Sequence, residues 1–196
     1  MIAGLTEDCG PDCAAFVEKW RAWWREKKRW PFAIVDCSPG YLERLDRKSR
    51  AMVRKANRLY TYRSMDFNAH LAEVDAINAS KPSRQGRPMQ GWYTQPAQPT
   101  RPARLCAVHG DAWHGAFRRD DDALVAFARL ARVSDELGIL VSIMSHRDAA
   151  AAMNGMIAYL VESAGVRYID YLHMRSATPS LEAFKRSVGF REVSYA

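Results

Sequence analysis

No stretch of this 196-residue chain approaches the roughly 18 uncharged apolar residues that a membrane-spanning helix needs. Its first residues, MIAGLTEDCGPDC, have neither the basic start nor the apolar core of a secretory signal, so the cytoplasm is the expected location. There is no Gly-rich nucleotide loop, no Gly-x-Ser-x-Gly elbow and no His-Glu-x-x-His. Phosphoryl transfer, serine hydrolysis and zinc proteolysis therefore lack their usual machinery. Cysteine is scarce, at four residues. Cys9 and Cys13 enclose Gly-Pro-Asp, which is half a metal site by spacing. No second pair with a nearby His presents itself as the other half, and reduced thiols with no metal are the expectation. Residues 77–110 hold no acid at all, and no internal repeat is present.

The chain does have the apolar content of an ordinary globular protein, 48%, in a length that suits one domain. Its net charge of +7 is unevenly placed. Residues 1–64 hold 14 Lys and Arg against 8 Asp and Glu, whereas the other 132 residues hold 15 against 14. That asymmetry points either to an anionic partner, such as nucleic acid or a phosphorylated substrate, or to a solvated basic face.

Phe16, Trp20, Trp23 and Trp24 recur at helical spacing and predict an amphipathic helix over 13–30, its tryptophans anchoring it to the domain. A short strand over 32–37 follows, then a turn at Ser38-Pro39-Gly40. A strongly basic helix is predicted over 41–58, a strand over 60–65 and a shorter helix over 70–79. Residues 81–104 carry five prolines and five basic residues and are expected to form a long loop without regular structure. Its first half offers Arg84, Gln85, Arg87, Trp92 and Tyr93, cationic and aromatic groups suited to a planar or phosphorylated acceptor or to single-stranded nucleic acid. Its second half, 95–102, has the composition of a connector.

From Leu105 the pattern is strand, polar turn at 119–122, strand, and a third apolar strand over 139–144. Asp148 is placed to cap a helix over 149–163 that Gly165 ends. The tail reads GVRYIDYLHMRSATPSLEAFKRSVGFREVSY: strand, turn, amphipathic segment over 180–188, Gly189-Phe190 and a last strand from Arg191.

This tail resembles the end of the GNAT acyltransferase superfamily, where a short helix and a Gly-Phe pair close the acyl-donor cleft. Phe184-Lys185 followed by Gly189-Phe190 is similar to the FemABX aminoacyl transferases, as is Arg50-x-x-x-Arg54-Lys55-Ala56 in the basic helix. The resemblance implies an α/β (α+β) fold: a mixed central sheet flanked by helices in one GNAT-like domain (31–196), with an N-terminal helical extension (1–30). It implies transfer of an acyl or aminoacyl group from acetyl-CoA or another CoA thioester, or from an aminoacyl-tRNA, to an amine, with no metal. Donor contacts then fall on Met144, Ser145, His146, Arg147, Ala149, Ala150, Asn154 and Phe184. The superfamily's Gln/Arg-x-x-Gly-x-Gly/Ala turn stands here as residues 145–152 without a glycine, which shifts weight toward a non-CoA donor or an unusual acyl-CoA mode. Lys185 occupies the position where many GNAT enzymes carry a leaving-group tyrosine, and the FemABX pattern implies that it handles phosphate or reaction charge. His114 and Asp170, on strands expected to border the cleft, are candidate bases. Tyr171 joins the acceptor side, alternating with Asp170 along its strand. The competing reading is a non-catalytic nucleic-acid-binding module built on the helix 41–58 and the loop 81–93.

Overall fold

Near-continuous buried runs along three nine-residue strands build the centre of the molecule. β-Branched and aromatic side chains on both faces of those strands demand helices above and below. The computed structural model describes residues 9–27, 30–84, 87–89, 91–100, 105–174 and 178–194. Along the chain come α1 (Pro11–Lys27), β1 (Phe32–Asp36), α2 (Tyr41–Arg44), α3 (Arg47–Leu59), β2 (Tyr60–Ser64), α4 (Leu71–Ala79) and a small hairpin of β3 (Ser83–Arg84) and β4 (Arg87–Pro88). Then follow β5 (Gly110–Arg118), β6 (Leu124–Arg132), β7 (Leu137–Ser145), α5 (Ala152–Ser163), β8 (Tyr168–His173), α6 (Pro179–Ser187) and β9 (Arg191–Val193).

The main sheet has seven strands in the order β2-β5-β6-β7-β8-β1-β9. Every neighbouring pair is antiparallel except β7 and β8, which are parallel and joined through α5. On β6, Ala126, Ala128 and Leu130 face one core shared with Val53 and Ala56 of α3 and Met156 and Leu160 of α5. Phe127 faces the opposite side, where Val74 and Ile77 of α4 pack. On that same side α1 lays Trp20 against Val133, Leu137 and Ile139. The tryptophan stripe is thus an anchor, with Trp24 also stacked on Phe32 at 4.5 Å.

Four local expectations are corrected. The helix over 41–58 is two helices, because Leu45 is extended and Asp46 caps α3 by accepting from the Ser49 N–H at 2.8 Å. Asp148 caps nothing: α5 starts at Ala152, with Ala151 left-handed at φ 64°. The Asp148 N–H is instead bonded to His146 Nδ1 at 3.2 Å. β5 begins at Gly110, since Leu105 and Cys106 both donate to the His109 carbonyl and close a turn. The loop after α4 contains β3, β4 and a 3-10 turn over Gly91–Thr94. Its later part is pinned, with Ala97 N–H on Asp75 and Thr100 N–H on Asn68, both at 2.7 Å.

Candidate active-site cleft

Two parallel strands that begin together and then part create an opening in a sheet. β7 and β8 pair only at Leu137/Tyr168, Gly138/Ile169 and Ile139/Asp170. Each strand then bulges toward its other neighbour. On β7 the partners step from Leu130/Leu140 to Arg129/Ser142, leaving Val141 extra. On β8 they step from Ile34/Asp170 to Phe32/His173, with Leu172 left-handed at φ 55°. The β8 bulge breaks alternation. It puts Asp170 and His173 on one face and leaves Tyr171 on the other, packed on Phe190 at 5.5 Å between ring centres.

The resulting cleft has a volume of about 390 Å³. Met144, Ser145, His146, Arg147, Ala149, Asn154 and Phe184 line it, and among the expected donor contacts only Ala150 does not. Tyr171 lines it as well, from the β8 side. Lys81, which the sequence pattern left inside a loop, also reaches the wall and donates from Nζ to Ser145 Oγ at 3.2 Å.

The turn at the end of β7 consumes its own amide hydrogens. Ala149 donates to the His146 carbonyl at 3.1 Å, Ala150 to Asp148 at 2.9 Å and Ala152 to Ala149 at 3.3 Å. Those three groups are not presented to an anion as a helix N-terminus presents its unpaired donors. Arg147 supplies positive charge at this mouth, and the exposed Asp148 opposes it, paired with His146 at 3.6 Å.

None of the three expected catalytic residues lines the cleft. Lys185 is 1% exposed, and its ammonium donates to the carbonyls of Tyr171 at 2.7 Å and His173 at 2.6 Å. It also lies 4.5 Å from the centre of the Tyr171 ring. Burial pulls its pKa down to about 8, with the Asp170 charge acting the other way. Asp170 is fully buried, and neither carboxyl oxygen has a well-aligned hydrogen-bond partner, the Leu172 N–H being the nearby backbone donor. Burial raises its pKa well above the carboxylate range, opposed by the Leu172 N–H and the Lys185 charge. His114 lies on β5 against Tyr159, with both ring nitrogens unbonded, and burial lowers its pKa to about 4.

On the acceptor side, Arg84 and Arg87 sit in the hairpin backbone and Trp92 in the 3-10 turn, while Gln85 and the side chains of these three lie outside the described residues. Tyr93 brings its hydroxyl to 3.4 Å from Ser142 Oγ on the bulge of β7. Beside it, on the α4 face, is a second cavity of about 280 Å³ lined by Phe67, Trp113, Arg129, Val141 and Ser142 among others.

The run β5-β6-β7-α5-β8-α6-β9 is the order that the acyltransferase resemblance implied, and the fold is a mixed α/β sheet flanked by helices. No protein-family model and no curated protein matches the sequence. Solved structures do share the fold. The C-terminal domain of a putative lysylphosphatidylglycerol synthetase from Agrobacterium fabrum matches with a TM-score of 0.53 at 14% identity, over 83% of this chain and 58% of that one. L-PGS from Bacillus licheniformis gives 0.51 at 14% identity, over 89% and 63%. A conserved protein of unknown function from Bacteroides thetaiotaomicron gives 0.50 at 12%, over 90% and 63%. This chain therefore spans about three fifths of the length of the structures it matches. Among the described residues no helix is long and apolar enough to cross a membrane.

Proposed function

We propose that this chain is an aminoacyl- or acyltransferase of the FemABX kind, which holds the reactive end of its donor between β7 and β8 and passes the acyl group to an amine. The observation that carries this reading is the parting of the two parallel strands, which opens a cleft where the expected donor contacts converge. A charged tRNA is favoured over a CoA thioester on two grounds. The turn after β7 spends the Ala149, Ala150 and Ala152 amides on itself. In addition, α3 exposes Arg47, Lys48, Arg54, Lys55 and Arg58 with no acid on the helix, a stripe suited to a phosphate backbone. One of the structures that share the fold is named as a domain of a putative lysylphosphatidylglycerol synthetase, and making lysylphosphatidylglycerol is itself an aminoacyl transfer.

In such a transfer the acceptor nitrogen attacks the carbonyl carbon, the ester or thioester bond breaks, and the leaving oxygen or sulfur takes a proton. Tyr171 is the phenol in the cleft wall and is assigned the position beside the leaving group. Lys185 is a positioning residue in this scheme: its two bonds to the Tyr171 and His173 carbonyls fix the end of β8. The cavity of Trp113, Arg129 and Ser142 on the other side of β7 is assigned to the acceptor.

The test is release and transfer of label from tRNA charged with radioactive amino acids, run beside labelled acetyl-CoA, with a panel of amines. Transfer from tRNA is expected, and Asn154→Trp, which fills the cleft, abolishes it at an unchanged melting midpoint. Tight, salt-sensitive tRNA binding with no transfer from either donor would identify a binding module instead. Lys185→Met is expected to lower kcat while leaving the pH profile in place. Disappearance of a profile limb near pH 8, the pKa of the lysine, would make Lys185 a reacting base.

A further inference from the structure

We infer that Cys9, Cys13, Cys106 and His109 form a structural zinc site that ties the start of α1 to the head of β5. One ligand atom from each lies within 4.8 Å of the other three. Cys9 Sγ is 3.8 Å from Cys106 Sγ, and each of these sulfurs is 3.3 Å from His109 Nδ1. A tetrahedral zinc with Zn–S near 2.3 Å and Zn–N near 2.0 Å has S···S edges of about 3.8 Å and S···N edges of about 3.5 Å. These three separations are close to those edges, and Cys13 Sγ is within 4.8 Å of the other ligand atoms. They are far from a disulfide, whose sulfurs stand about 2.05 Å apart.

Each half of the site is shaped locally. Cys9 precedes α1 and Cys13 lies in its first turn, which Ala14 closes by donating to the Gly10 carbonyl at 3.2 Å. Cys106-Ala107-Val108-His109 makes a knuckle: the N–H groups of Val108 and His109 donate to Cys106 Sγ at 3.3 and 3.2 Å. Amide hydrogens aimed at a sulfur favour the thiolate, the form that binds metal. Cys13 and His109 are 1% and 2% exposed, and His109 turns Nδ1 toward the sulfurs. The pair Cys9-x3-Cys13 therefore finds in Cys106-x2-His109 the second half that residues 105–109, taken as strand, do not reveal.

Three thiolates and one imidazole select zinc over the oxygen-preferring cations, and four protein ligands fill its tetrahedron with no position left for a reactive water. The position in the fold agrees with a structural role. His109 precedes Gly110, which is in register with Arg132 and through it with Gly138 at the head of β7. The cleft lies at Ser145, seven residues further along β7, or roughly 23 Å at the usual strand rise.

Native mass spectrometry and elemental analysis of the full chain, purified from zinc-replete cells without chelator, are expected to find one zinc per chain. Exchange for Co²⁺ should give the charge-transfer and ligand-field bands of a tetrahedral thiolate site. Cys106→Ser should lose the metal. His109→Cys should keep it with a four-thiolate spectrum, which a mere packing histidine would not produce, and Cys37→Ser, outside the cluster, should keep it unchanged. A chain that is metal-free as purified and whose melting midpoint ignores added zinc overturns the site, as does full zinc retention in Cys106→Ser.

Discussion

His114 sits on β5 with both ring nitrogens unbonded, and burial alone holds its pKa near 4. The unfolded chain takes up a proton at this residue near pH 6.5, whereas the folded chain resists until about pH 4. The unfolded state thus binds more protons in that window, so the stability His114 permits is present above pH 6.5 and is lost as pH falls toward 4. Asp170 acts in the opposite sense, since its raised pKa lets the folded state accept a proton early. Comparing the wild type with His114→Phe removes that background. The acid loss measured by urea denaturation at pH 7.5 and pH 4.5 should shrink by roughly 2 kcal/mol in the variant. Equal losses in both proteins would mean that His114 is solvated or bonded in solution. Neither its burial nor that of Lys185 was legible in the sequence, where an isolated His on a strand and a Lys on a short helix look like surface or site groups alike.

At the scale of elements, apolar spacing named most helices and strands but misplaced their ends. The α3 boundary rests on the Asp46 carboxylate accepting from the Ser49 N–H and hydroxyl, and the late start of α5 on three tight-turn bonds. Such bonds compete with helix propensity locally and leave no periodic signal. Gly155 shows the same limit inside a helix. A Cβ there would stand 2.0 Å from the Tyr62 hydroxyl, 2.4 Å from its Cζ and 2.9 Å from the Ala56 Cβ. Helix propensity favours alanine by up to about 1 kcal/mol. Overpacking costs about 1–3 kcal/mol, and Tyr62 is held by its bond to the Ala152 carbonyl and its stacking on Tyr159. Gly155→Ala should therefore destabilise the protein by about 1 kcal/mol, read from the denaturation midpoint. A gain in stability would show that Tyr62 swings away without cost.

For the molecule as a whole, charge and topology act together. The exposed bases of α3 belong to the first third of the chain, where nearly all of the positive surplus lies. If they track a phosphate backbone, Arg54→Ser with Lys55→Ser and Arg58→Ser should flatten the plot of log affinity for tRNA against log salt by about 2–3 in slope. An unchanged slope would move the nucleic-acid contact elsewhere. The sequence by itself determined the apolar runs that became β5, β6 and β7, the amphipathic stripe of α1, and the tail of strand, helix and Gly-Phe, because neighbouring side chains a few residues apart report on their own backbone. Only the tertiary structure decided that β1, from the beginning of the chain, enters between β8 and β9 near its end. It alone decided that bulges at Val141 and Leu172 part β7 from β8. It also brought Cys9 and Cys106 together across 97 residues. Strand pairing and ligand convergence depend on which distant surfaces can bury one another, and no local period encodes that.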